Sequence, residues 1–161
     1  MNKILKKASI LFLISFSLLG CTDLTKKRLK ELESKCAIKH WITGNPIFHY
    51  EHLTGMDNSG PVYFVLDFSA NNENFLAQFN NTEKETYFKL KQGPDMTFET
   101  RTNEFVQEEI GSAYYSWDEE YQINFEKPYL YFRYGEPDSG LTFGFVYYTE
   151  TDVVNLFYVH M

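Results

Sequence analysis

The chain has 161 residues, with 15 basic and 22 acidic side chains and a net charge of −7. It carries 15 Phe, 12 Tyr and 2 Trp, which excludes a disordered chain, because such chains lack the apolar bulk that offsets chain entropy. The acidic balance also excludes a nucleic-acid binder and favours a cationic partner.

Three lysines open the chain, Lys3, Lys6 and Lys7, ahead of an uncharged run from Ala8 to Leu19. As a helix, twelve residues reach about 18 Å at ~1.5 Å per residue. A bilayer core is roughly 30 Å thick, so the run is too short for a lasting membrane span. A basic start and a short apolar core have the form of a secretory signal peptide. The next residues, Leu18-Leu19-Gly20-Cys21, resemble the lipobox of bacterial lipoproteins. The resemblance implies cleavage before Cys21, removal of residues 1–20, attachment of lipid to the Cys21 thiol, and acylation of the new amino terminus. Two or more acyl chains would hold the protein stably on a membrane. Thr22, in place of an Asp, fits the outer-membrane default of Gram-negative lipoproteins. Two other readings stay open: an ordinary signal peptide with an incidental cysteine, and a Cys21–Cys36 disulfide, which would exclude the lipid.

Residues 21–36 form a charged stem after the lipidated cysteine. Thr22 or Asp23 is placed to cap a short helix through Lys35, with Leu24, Leu29 and Leu32 too sparse for a strong apolar face. The stem has five basic and three acidic residues, which suits an anionic membrane surface. Residues 37–161 form a single domain with 7 basic and 19 acidic residues, a net charge of −12.

Within that domain Ile38 to Thr43 has β character, and Gly44-Asn45-Pro46 signals a turn. Ile47 to Leu53 alternates weakly, and Gly55 to Gly60 is a polar loop. Pro61 opens an apolar run to Phe68 that reads as a central strand covered on both faces. Phe75, Leu76 and Phe79 mark a short helix within Ser69 to Asn81, with Asn71 or Asn72 as its cap. Thr86 to Lys91 and Met96 to Arg101 read as strands broken by Gly93-Pro94. Thr102 to Ile110 reads as a second helix or an irregular loop, with Gly111 as its stop. Tyr114 to Trp117 and Tyr121 to Phe125 are strand-like. Tyr129 to Tyr134, Leu141 to Thr149 and Val153 to His160 are strands with short connections, which predict a three-stranded antiparallel meander. The expected fold class is α+β: a single antiparallel sheet of about six to eight strands with one or two short helices.

Catalytic and metal motifs are not found in the sequence: it has no phosphate loop, G-x-S-x-G, H-E-x-x-H or paired-cysteine zinc spacing. His49-Tyr50-Glu51-His52, with His40 nearby, is the best metal candidate. On a strand, however, residues 49 and 52 face opposite ways, so surface or half-buried histidines are the preferred reading. No enzyme activity, cofactor or metal is expected. The candidate partner surface is Glu104, Glu108, Glu109, Asp118, Glu119 and Glu120, with Tyr114, Tyr115, Trp117 and Tyr121 as aromatic anchors. The plain alternative is a solvated acidic face. The function expected first is a membrane-tethered protein-binding module, in particular an immunity protein that neutralises a periplasmic toxin. The alternatives are a structural or assembly lipoprotein of the envelope, and a small hydrolase or ligand carrier with its site in a cleft.

Overall fold

Among the described residues one sheet has six strands, side by side in the order Asn45–Glu51, Gly60–Asp67, Val153–His160, Phe143–Tyr148, Tyr129–Tyr134 and Lys91–Gln92, every neighbouring pair antiparallel. The structure is a computed structural model that describes residues 24–34, 38–54, 59–79, 89–134 and 143–160. The signal segment, Cys21, Cys36, the connection expected between Tyr134 and Leu141, and most of the strand expected from Thr86 lie outside the described residues. The chain divides into two units, Met1–Ile42 and Thr43–Met161.

In the first unit residues 24–34 form a helix, α1. Thr25, Leu29 and Leu32 are buried along it. Their spacing of i, i+4 and i+7 gives one narrow buried side, more order than three scattered leucines suggested. Arg28 pairs with Glu31 at 3.0 Å across one turn. The Glu33 carboxylate accepts the Ile42 amide at 3.1 Å, and its carbonyl accepts the Lys39 ammonium. Where Ile38 to Thr43 reads as β, the chain instead makes a 3-10 turn at Trp41–Thr43, with Ile38 and Trp41 buried.

The second unit is built on the sheet. Strand β1 (Asn45–Glu51) begins inside the expected turn, because Asn45 pairs opposite Asp67. The register then shifts by one residue between Pro46 and Phe48. Strand β2 (Gly60–Asp67) is buried at every position from Pro61 to Leu66, as its unbroken apolarity predicts. Strand β3 is short (Lys91–Gln92). Strands β4 (Tyr129–Tyr134), β5 (Phe143–Tyr148) and β6 (Val153–His160) form the expected meander. Strand β6 sits between β2 and β5, so the last strand of the chain is central.

Both faces of the sheet are covered by aromatic side chains. On one face helix α2 (Asn72–Ala77) seats Phe75, stacked on Phe68 at 4.3 Å and near Phe145 and Tyr147. On the other face Tyr63, Val65, Val146, Tyr148 and Phe157 meet helix α3 (Met96–Phe105) and the turns after it. Gly144 makes room there for Phe157, whose ring lies 2.7 Å from where a Cβ would stand.

Helix α3 replaces the strand expected from Met96 to Arg101 and starts six residues before the helix expected at Thr102. Asp95 caps it by accepting the Phe98 amide at 3.0 Å. Phe98, Thr102 and Phe105 are buried at i, i+4 and i+7. The Thr102 hydroxyl is satisfied by donating to the Phe98 carbonyl at 2.8 Å. A π turn at Val106–Ile110 ends at Gly111, whose φ of 65° stops the helix as expected. The strand-like runs Tyr114 to Trp117 and Tyr121 to Phe125 are not strands. Gly111–Ser116 and Glu119–Tyr121 are 3-10 turns, from which Tyr114 enters the core and Tyr121 packs partly buried against it.

Candidate functional site

The segment after α3 is fixed to the sheet by tyrosine hydroxyls. Tyr63 Oη donates to the Tyr121 carbonyl at 2.8 Å. Asn155 Nδ2 donates to Tyr63 Oη at 2.6 Å and, more weakly, to the same carbonyl at 3.4 Å. The Ile123 amide donates to Tyr114 Oη at 2.5 Å, and the Asn124 amide to Tyr148 Oη at 2.7 Å. Burial raises the pKa of Tyr63, Tyr114 and Tyr148, so these hydroxyls stay neutral anchors. Asn155 is fully buried, and its Oδ1 has no hydrogen-bond partner.

These bonds hold Asp118-Glu119-Glu120 in a defined turn. The Tyr121 amide donates to the Asp118 carbonyl at 2.9 Å, and Gln122 Nε2 donates to the Trp117 carbonyl at 2.9 Å. All six predicted carboxylates, on Glu104, Glu108, Glu109, Asp118, Glu119 and Glu120, belong to exposed residues. Glu104 is shared with Arg101 in an exposed pair at 3.2 Å.

The predicted aromatics part company. Trp117 packs against Phe48, Tyr50, Tyr63 and Tyr114 with ring centroids 4.7–5.1 Å apart. Tyr121 stacks on Phe48 at 4.8 Å, and Tyr114 is buried. A hydrogen bond to the Glu120 carboxylate, then its charge, raises the Tyr121 pKa. Tyr115 alone of the four is turned outward, 66% exposed. It is therefore the aromatic that a partner would meet first, while Trp117 serves the packing beneath.

A second arrangement lies where α3 crosses the β3–β4 edge. A cleft of about 410 Å³ is lined by Lys91, Arg101 and Arg133, with Thr97, Phe98, Tyr131 and Asp95. Thr97 and Arg101 are one helical turn apart, so they share a side of α3. Lys91 pairs opposite Tyr131, and Arg133 lies two residues along the same strand face. Phe98 stacks on Tyr131 at 4.1 Å, and Lys91 Nζ lies 6.0 Å over that ring. Asp95 accepts a short hydrogen bond from Tyr131 Oη, which holds its carboxyl below the usual range.

Sequence reasoning did not find this cleft. Its three cations stand 10 and 32 residues apart, and no motif links them. The usable signal is scarcity: from Ala37 onward the chain has seven Lys and Arg residues, and three of them meet here.

Of the histidine candidates, His49 lies on strand β1 and His52 follows its end. His49 stacks on Phe64 at 4.4 Å, and its Nε2 is 3.5 Å from Glu51. Among the described residues, no group of three His, Cys, Asp or Glu is placed to hold a metal ion. Among them, too, no helix is long and apolar enough to cross a membrane. Comparison with protein-family models, with curated proteins and with solved structures finds no match.

Proposed function

We propose that this chain is an envelope lipoprotein, anchored through lipid on Cys21, whose domain binds a basic protein partner through residues 104–121. The form of that activity we favour is an immunity protein that covers the cationic site of a toxin in the periplasm. The observation that carries the reading is the pinned acidic turn. Asp118, Glu119 and Glu120 are exposed, yet the backbone beside them is tied to buried Tyr63, Tyr114 and Tyr148. A surface ordered before encounter loses less entropy on binding. Tyr115 beside it supplies an amphipathic ring of the kind that anchors interfaces. The lipobox supports the tether, which would keep the domain where an incoming protein must pass.

Site-specific crosslinking in cells tests this reading. A photoreactive phenylalanine analogue is placed at Tyr115, and in a second strain at Glu73. Glu73 is an exposed residue on α2, the helix that covers the other face of the sheet. Irradiation should join a basic protein to the chain at Tyr115 and not at Glu73. No adduct at Tyr115, or the same adduct from both positions, would overturn the assignment of the surface.

A further inference from the structure

We infer that the cleft between α3 and the β3–β4 edge is a binding site for a small organic oxyanion, a ligand bearing phosphoryl or clustered carboxylate groups. The domain is strongly acidic, and random placement of so few cations would scatter them. Instead Lys91, Arg101 and Arg133 converge on one concavity of about 410 Å³, large enough for a small metabolite. Arg133 is only partly exposed, and its Nε is buried without a hydrogen-bond partner. The guanidinium in the wall of the cleft suits an oxyanion, since its planar fork matches two oxygens at once. Thr97 adds a hydroxyl donor from the first turn of α3.

Two carboxylates border the cations. Asp95 is already engaged by Tyr131 Oη and by the Phe98 amide, which fixes it at the helix cap. Glu104 pairs with Arg101 at 3.2 Å, but both side chains are about half exposed, so a ligand oxyanion can displace that contact. The ligand's charge therefore belongs beside Arg133 and Arg101, away from Asp95. The stacked rings of Phe98 and Tyr131 form an apolar wall for its carbon skeleton. The site adjoins the acidic stretch at Glu104, which pairs with Arg101, but it does not rest on the partner-binding reading.

Calorimetric titration of the full chain in non-ionic detergent tests the inference, with pyrophosphate and citrate as probes at low ionic strength. At least one probe should bind at a single site with a dissociation constant below ~1 mM. Whichever binds more tightly decides between phosphoryl and polycarboxylate chemistry. Arg133→Gln should weaken that binding by about tenfold or more, as loss of a charged hydrogen bond does. Lys91→Gln, at an exposed position that leaves the packing intact, should weaken it in the same direction. Lys127→Gln makes the same charge change outside the cleft and should leave the affinity as it was. The inference is overturned if neither probe binds, or if Lys127→Gln weakens binding as much as Lys91→Gln does.

Discussion

Three tyrosine hydroxyls on the sheet donate to carboxylates. Tyr129 Oη donates to Glu99 at 2.6 Å, Tyr131 Oη to Asp95, and Tyr147 Oη to Asp152. Burial first, and then the neighbouring carboxylate, raises each phenol above its ordinary value, Tyr129 to about 12. The folded state thus keeps these phenols neutral, whereas the unfolded chain ionises them near 10. Their contribution is fully present below pH ~10 and is lost as pH rises through the folded values. Chemical denaturation should therefore give a steady midpoint near neutrality and a falling one between pH ~10 and ~12. Residue-resolved titration of labelled tyrosines should show Tyr129, Tyr131 and Tyr147 forming phenolate together with unfolding. Phenolate at these three near the ordinary value with the fold intact would contradict this account. Asp95 works with the opposite sign: Tyr131 lowers its pKa, so its contribution is present above the ordinary 3.8 and fades on acidification.

Among the elements, the C-terminal meander carries the sheet, because β6 lies between β2 and β5. Phe145 on β5 is fully buried, stacked on Phe132 at 5.7 Å and close to Phe75 and Phe79. Phe145→Ala should cost about 3–5 kcal/mol, a large part of a small domain's stability. A melting temperature within a degree or two of the wild type would show that this packing is not what holds the sheet. The meander was legible because short links between apolar runs leave adjacent strands no choice but antiparallel pairing. Helix α3 was not legible as a helix from its start. Met96 and Phe98 alternate with Thr97 and Glu99, and a window that short fits a strand as well as a helix. Only the longer spacing of Phe98, Thr102 and Phe105 separates the two. The runs around Tyr114 and Tyr121 misled for a related reason: aromatic residues raise strand propensity, but here they reach the core from 3-10 turns. For the proposed partner surface, exposure of the six carboxylates could be read from charge alone. The inward turn of Trp117 and the outward turn of Tyr115 could not, since both depend on where Phe48, Tyr50 and Tyr63 stand in the sheet. The cationic cleft was invisible for the same reason, its residues being joined only by strand pairing and helix position.

At the scale of the whole molecule the distribution of charge sets the expectations. Residues 22–36 are net positive and residues 37–161 carry −12, so the stem suits an anionic membrane and the domain a basic partner. The proposed tether rests on Cys21. Replacement by Ser should move the chain from the membrane fraction to a soluble or unprocessed form and abolish labelling by a fatty-acid probe. Wild-type chain recovered as a water-soluble protein without lipid label would remove the tether from the account. The central claim concerns the acidic turn, and association kinetics with the crosslinked partner test it most directly. Attraction between a −12 domain and a basic protein acts mainly on the encounter rate. It weakens as the Debye length falls from ~10 Å at 0.1 M salt to ~3 Å at 1 M. The measurement is surface plasmon resonance at those two salt concentrations, comparing wild type with the combined Asp118→Asn, Glu119→Gln and Glu120→Gln variant. The account predicts a slower association for the variant and a flatter dependence on salt, with the fold unchanged by circular dichroism. Equal association rates and equal salt dependence for the two proteins would contradict it.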